Sequence, residues 1–226
     1  MSDDLPEIAH GIPVFPLPGM TLFPHTNLPL HIFEERYRNL MEDTLVKPEG
    51  QHCFAMGTLT EAATDVTLGD PPVSRYAGVG RITEYSRAPD GRYMLVLHGV
   101  GRVRLTHEMS IVRGYRLFGG EWISDVIPPA SRTWERNLSV ELKGLALALL
   151  REQAEKFRGL LSEDIELGAL TDMVTGYLPF PPDFKLRQMA TPNVIERAAG
   201  AISQLERMIG MAPDKPLHLD DAPPVN

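Results

Sequence analysis

IPVFPLPGMTLFPHTNLPLHIFEERYRNLM, residues Ile12 to Met41, contains three segments with different physical properties. A proline-rich apolar run comes first, a His-Thr-Asn turn leads into Leu28–Phe33, and a charged segment follows. Each proline fixes φ and removes a backbone donor, so the run predicts short extended pieces joined by turns and excludes a central strand. In the charged segment, apolar residues recur at the spacing of a helix with one buried face, at Phe33, Tyr37, Leu40 and Met41.

Composition indicates an ordinary globular protein. The chain has 226 residues, of which 43% are hydrophobic and 23% charged, enough for one large or two small domains. Its net charge of −8 gives no global attraction to nucleic acid or to an anionic membrane. A single cysteine, Cys53, an acidic start and the absence of a long apolar run predict a cytoplasmic protein without a signal peptide or membrane span.

Short strands follow the first helix. The best hairpin signal is Ala-Pro-Asp-Gly, residues 88–91, because proline presets φ and glycine accepts positive φ. The pattern gives roughly six short strands and one helix before Asp125, which favours a small barrel over a parallel α/β sheet. The later predicted strands are Gln51–Thr60, Arg75–Arg87, Arg92–His98, Gly99–Thr106 and Tyr115–Ile123.

Helical periodicity begins after Pro128-Pro129. Leucine spacing predicts one long helix over Thr133–Arg158, and Thr191-Pro192 predicts the cap and first residue of the last helix. The fold class is therefore α+β: a small antiparallel or mixed β-barrel with one short helix, followed by a C-terminal helical bundle. We expect a barrel domain over 10–126, a helical domain over 130–212 and a proline-rich, acidic, disordered tail over 213–226.

Three stretches resemble the Lon substrate-binding domain family, a module of the ATP-dependent Lon protease that also occurs as free-standing bacterial proteins. They are the order IPVFPL, PG, LFPH and LPLHIFEERYR near the start, Gly78-Val79-Gly80 with Ile82, and LVLHGVGRVRL over Leu95–Leu105. The resemblance implies a PUA-like β-barrel followed by a helical half. For function, it implies a free-standing polypeptide-binding module that has no chemistry of its own and acts in protein quality control, with a separate protease as a possible partner.

Motifs for catalysis are absent from the sequence. No Gly-Lys dipeptide is present, so there is no phosphate loop, and no histidine or cysteine pair has metal-ligand spacing. The glycines at 78, 80, 99 and 101 indicate close backbone approach or bulges rather than a dinucleotide site. Glu34 and Glu35 diverge on a helix, so we interpret them as helix-start residues rather than an acid–base pair. The sequence thus predicts a protein that is not an enzyme and takes no cofactor or metal.

Two kinds of partner remain as hypotheses. Unfolded or extended polypeptide would bind apolar pockets and an open strand edge; the candidate contacts are Phe23, His25, Phe33, Tyr37 and Trp122. The alternative is an RNA-binding barrel, because the sequence from Arg75 to Arg116 contains eight arginines and only three acidic residues. Its candidate contacts are Arg75, Arg81, Arg102 and Arg104. Few aromatic residues accompany these arginines, which disfavours nucleic acid as a partner.

Overall fold

A computed structural model of the protein describes residues 5, 6, 8, 11–60, 71–109, 113–151, 154–159 and 164–211. The chain divides into two compact units, with the boundary between Ile123 and Ser124. The described strands all lie in the first unit, and the described part of the second is mainly helical. The predicted tail, residues 213–226, lies outside the described residues.

The first unit is a mixed six-stranded sheet with one α-helix in its described part. The strand order is β2-β5-β4-β3-β1-β6, and β6 also pairs with β5. Among the described strands of the sheet, β1 and β3 form the parallel pair and the other pairs are antiparallel. The predicted α+β class is therefore confirmed. The elements are β1 (Ile12–Pro18), β2 (Asn27–Ile32), α1 (Glu35–Leu45), β3 (Cys53–Leu59), β4 (Tyr76–Arg87), β5 (Tyr93–Glu108) and β6 (Arg116–Ile123).

Alternation along β5 shows how the core forms. Tyr93, Leu95 and Leu97 are buried, while Met94 between them is 55% exposed, as expected for a sheet with one dry face. The buried residues join a core cluster that includes the apolar face of α1. At the predicted hairpin, the amide of Gly91 donates to the Ala88 carbonyl at 2.9 Å and Gly91 has a φ of +85°.

β1 occupies a central position in the sheet, contrary to the expectation from its prolines. It pairs with β6 over Ile12–Val14 and with β3 over Val14–Pro18, so the two partners overlap only at Val14. Among the described strands, each proline of β1 thus has a partner on one side, and its missing donor can face the other side. A proline-rich run can therefore cross from one partner strand to the next within a sheet.

Glycines of β4 and β5 allow the turn over residues 22–26 to lie directly on the sheet. A Cβ atom on Gly78 would lie 1.7 Å from the Leu22 carbonyl oxygen, and one on Gly99 would lie 2.0 Å from that of Phe23. The His25 amide donates to the Gly99 carbonyl at 2.9 Å. Close approach at these glycines is confirmed, and β5 continues through Gly99 as one strand where two were predicted.

Glu34 precedes α1 but does not cap it with its side chain. Its carbonyl accepts the amides of Tyr37 and Arg38, and its carboxylate accepts a hydrogen bond from Arg36 Nε at 2.9 Å. Glu34 is thus a helix-start residue as predicted, but its carboxylate binds the nearby guanidinium, a stronger partner than a backbone amide, and does not cap the helix.

The second unit contains several helices around one apolar core. The single long helix predicted over Thr133–Arg158 is interrupted at Arg151, whose φ of +47° lies outside the helical region. The sequence there contains neither glycine nor proline, so no local signal marks the break. The helices are α2 (Glu135–Leu150), α3 (Ala154–Arg158), α4 (Leu167–Tyr177), α5 (Pro182–Ala190) and α6 (Val194–Met211).

Asn193, not Thr191, supplies the side-chain cap of α6. Its Oδ1 accepts the amide of Ile195 at 3.0 Å, while the Thr191 hydroxyl donates back to the Arg187 carbonyl of α5 at 2.9 Å. Within α6, the fully buried Arg197 forms two 2.9 Å hydrogen bonds to the Asp125 carboxylate. This pair ties the start of the second unit to α6, because the two residues are distant in sequence.

Candidate functional site

β2 forms one edge of the sheet. It pairs with β5 from Asn27↔His98 to Ile32↔Tyr93, and no other strand of the described chain pairs with it. Pro29 lies at its middle and lacks a backbone donor, which is tolerated on an edge strand and interrupts the row of donors there. A strand added at this edge could therefore form only part of the usual row of backbone hydrogen bonds. Affinity for an extended peptide would have to come mainly from side-chain contacts.

Apolar side chains cover the outer face of the sheet next to this edge. We call the set Pro29, His31, Phe33, Met94 and Val96 the Met94 face. His31 lies opposite Met94 in the antiparallel register, so their side chains share one face of the sheet. The His31 and Phe33 rings are 5.8 Å apart, and Phe33 is 46% exposed. Exposed apolar groups clustered beside a strand edge are typical of a docking surface.

Polar groups border the Met94 face at the far end of β2. His98 Nδ1 lies 2.7 Å from Asn27 Oδ1 across the β2–β5 pair. Burial, and secondarily the positive charge of Arg81, lowers the pKa of His98 below its ordinary value of 6.5. The imidazole is therefore neutral at neutral pH, and it adds hydrogen-bonding capacity rather than charge to the border.

The five predicted peptide contacts do not form one site. Phe23 is completely buried, and Tyr37 is 4% exposed, so both belong to the interior. His25 is exposed on the turn over residues 22–26, and Trp122 packs half-buried against the cluster around Val103. Of the five, only Phe33 lies on the Met94 face. Met94 itself was missed, although the alternation in RYMLVLH places it opposite the buried residues of β5.

The predicted arginine stripe is largely neutralised by acidic neighbours or buried. Arg102 is 2% exposed, and Arg104 Nη2 pairs with Glu121 at 2.5 Å. Arg81 is half-buried on β4, and Arg75 is exposed. Pairing thus removes much of the excess positive charge that an RNA backbone would require. Further ion pairs join Arg87 to Glu42, Arg92 to Asp90, Arg113 to Glu42 and Asp43, and Arg116 to Glu108.

The described residues contain neither a membrane-spanning helix nor a cluster of metal ligands. No helix among them is both long and apolar enough to cross a membrane. Nor does that part of the chain bring together three or more histidine, cysteine, aspartate or glutamate side chains in an arrangement that could hold a metal ion.

Solved structures show the same fold. The N-terminal domain of Mycobacterium avium complex Lon protease is 19% identical, with a TM-score of 0.66, and the match covers 87% of this chain and 98% of that domain. A Lon N-terminal domain protein from Xanthomonas campestris is 20% identical, with a TM-score of 0.56, covering 90% of this chain and 99% of that one.

Sequence relatives are Lon proteases. Lon protease 2 of Sorangium cellulosum is 28% identical over 76% of this chain, and Lon protease of Roseiflexus castenholzii is 24% identical over 91%. These matches span only 21% and 25% of the two relatives. The family model for the substrate-binding domain of ATP-dependent protease La (Lon) matches residues 11–207. The chain therefore belongs to the Lon substrate-binding domain family.

Proposed function

We propose that the chain is a module that binds extended polypeptide through the Met94 face and has no chemistry of its own. The observation that carries the proposal is the exposure of Phe33 and Met94, 46% and 55%, on a sheet face beside the edge strand β2. Apolar side chains of an unfolded chain would lose water contact there, while the ends of β2 provide backbone donors and acceptors.

The strand unit is, in our proposal, a PUA-like β-barrel domain over 10–126, followed by a helical domain over 130–212. Support for a barrel comes from the pairing of β6 with β5, which links β5, β4, β3, β1 and β6 in a cycle of strand pairs. The cycle leaves β2 outside it, with an edge that no described strand covers, and a partner strand could add there.

Protein quality control in the cytoplasm is the setting that we propose, with a separate protease acting on the bound chain. The relatives are proteases, and this chain matches about a quarter of their length or less. The single buried Cys53 fits a reducing compartment.

Titration of a fluorescently labelled unfolded polypeptide tests the proposal. We expect saturable binding at tens of micromolar (~10⁻⁵ M) and at least about tenfold weaker binding by the Phe33→Ser/Met94→Ser variant, because truncating the two side chains together should cost roughly 1–2 kcal/mol or more. The matched control is Val46→Ser, which removes an 84% exposed apolar side chain at the end of α1 and should leave affinity unchanged.

Loss of binding in the control as well would show that general surface hydrophobicity is responsible rather than the Met94 face. Absence of saturable binding by the unaltered chain would refute the proposal. Tight binding of single-stranded RNA that weakens steeply with salt would favour the alternative partner.

A further inference from the structure

An N-terminal segment lies against β5 and β6, away from the Met94 face assigned above. We call Leu5, Pro6 and Ile8 the strap. A Cβ atom placed on Gly101 would lie 3.2 Å from Leu5 Cδ2, and one placed on Gly120 would lie 3.5 Å from Ile8 Cδ1. Ile8 packs against the buried cluster that contains Val103, and Pro6 is buried. The strap therefore occupies positions where these two strands lack side chains.

Neighbouring strands form a groove at this place. Trp122 lies opposite Val103, so both share a face of the β5–β6 pair with Gly101 and Gly120, which are two residues away along each strand. A Cβ on Gly101 would also meet the Trp122 ring, at 2.8 Å from Cζ3. Two glycines thus leave room for a ligand chain, and the fully buried Val103 and the half-buried Trp122 provide apolar walls. We call these four residues the Trp122 groove.

Side-chain packing and a turn hold the described residues of the strap. None of its residues belongs to a strand, and the Gly11 amide donates to the Ile8 carbonyl at 3.0 Å where the chain turns with a φ of +94° at Gly11. Leu5 remains 38% exposed despite its contact with the groove. Partial exposure of Leu5 is typical of a chain end that opens at a lower free-energy cost than the core.

We infer that the Trp122 groove is a second polypeptide-docking site, and that the strap occupies it as an internal ligand. Its partner is a polypeptide segment that carries aliphatic side chains three residues apart in sequence, as Leu5 and Ile8 are. This inference rests on the strap's own contacts and does not depend on the Met94 face. A tethered segment has a millimolar effective concentration, so an outside chain binds only in competition with the strap. The apparent affinity for an outside chain is proportional to the fraction of protein molecules whose groove is free. Release of the strap increases this fraction and therefore raises the apparent affinity.

Fluorescence of Trp122 provides the test. The chain has two tryptophans, and Trp134 is 60% exposed, so Trp134→Phe leaves Trp122 as the only reporter. In that background, Leu5→Ser/Ile8→Ser should shift Trp122 emission to longer wavelength and increase quenching by acrylamide. The synthetic peptide LPEIAHG, residues 5–11, should then restore the original emission saturably.

Controls separate docking from simple core packing. The peptide with serine in place of leucine and isoleucine should have no effect. The protein with an intact strap should bind LPEIAHG at least about tenfold more weakly than the Leu5→Ser/Ile8→Ser variant does. Because Ile8 contributes to the core, Leu5→Ser alone is the second variant, and circular dichroism checks its fold. If the folded Leu5→Ser protein shows no peptide-dependent change in Trp122 emission at millimolar peptide (~10⁻³ M), the strap is only part of the core and the inference is overturned.

The two polypeptide sites can be tested separately. Phe33→Ser/Met94→Ser should leave the peptide response of Trp122 unchanged, because Met94 lies in the part of β5 that pairs with β2, whereas Val103 lies in the part that pairs with β6. Loss of the response in that variant would contradict an independent groove. Failure of unfolded polypeptide to bind the Met94 face would leave the Trp122 titration unaffected.

Discussion

Gly78 and Gly144 are the same residue type in opposite environments. Gly78 lies in β4 under the backbone of Leu22, so an added Cβ would overlap the carbonyl oxygen of that residue at 1.7 Å. Gly144 lies on the exposed side of α2, and no atom outside its own helix backbone comes within 4 Å of the equivalent Cβ position. Adding one methyl group should therefore change the free energy of unfolding in opposite directions at the two positions.

We expect Gly78→Ala to lower the free energy of unfolding by at least about 3 kcal/mol, since the Leu22 carbonyl must move and the turn over residues 22–26 must lift. Gly144→Ala should raise it by about 0.5–1 kcal/mol, because alanine restricts the unfolded chain and favours helix. Urea denaturation of both variants measures the difference. A Gly78→Ala protein as stable as the original would show that this turn is not fixed on the sheet.

Sequence reasoning identified the glycines of β4 and β5 as positions of close approach but could not name what approaches them. Leu22 and Gly78 are far apart in the chain, so their contact depends on the folded topology. Phe33 shows the opposite error. Its spacing placed it on the buried side of α1, yet the helix begins at Glu35, and Phe33 instead continues the outer side of β2 with His31.

At the scale of single elements, the start of α6 depends on one side chain. Asn193 Oδ1 accepts the amides of Ile195 and Glu196, at 3.0 and 3.4 Å, and so satisfies donors that the first helical turn leaves without partners. The backbone there is also fixed by Val126, whose amide donates to the Pro192 carbonyl at 2.9 Å. The Thr191 hydroxyl donates to the Arg187 carbonyl of the preceding helix instead.

Asn193→Ala should therefore cost about 1 kcal/mol of unfolding free energy, the usual value of a lost N-cap. Thr191→Ala is the matched control and should cost no more than about 0.5 kcal/mol, because an exposed hydroxyl can exchange its partner for water. Thermal unfolding followed by circular dichroism compares the two. Equal losses, or a larger loss for Thr191→Ala, would assign the cap to threonine as the sequence pattern had predicted.

Element types could be predicted from the sequence better than element limits. Alternation and turn residues were sufficient for the hairpin of β4 and β5, because both signals are local. The break after α2 was not predictable, since Arg151 adopts its positive φ without glycine or proline nearby. β1 was misplaced because proline content shows that a donor is missing but does not show on which side of the strand a partner lies.

At the scale of the whole molecule, the candidate site depends on pairing between distant segments. β2 and β5 meet because their buried residues, such as Leu30 and Leu95, share one face in register. The number of strands could be estimated from local patterns, whereas their order could not. The Met94 face could therefore not be assembled from the sequence, although each of its residues lies in a predicted element or immediately beside one.

One titratable group of this strand pair should make the stability of the protein depend on pH. The pKa of His98 in the folded protein is below 6.5 because the ring is buried and Arg81 is nearby. Well above pH 6.5 the imidazole is neutral in both states, so its full contribution to stability is present. As pH falls from 6.5 through the folded pKa, the unfolded chain takes up the proton first, and stability falls by less than about 1.4 kcal/mol per pH unit.

His98→Gln should remove this part of the pH dependence, because glutamine can still bond to Asn27 but does not titrate. Arg81→Gln should reduce it only in part, since burial is the larger cause of the lowered pKa and the charge of Arg81 the smaller. Urea unfolding at several pH values below 7 measures both effects as differences from the unaltered chain. A His98→Gln protein whose stability falls with pH as steeply as that of the unaltered chain would show that other groups control the acid response.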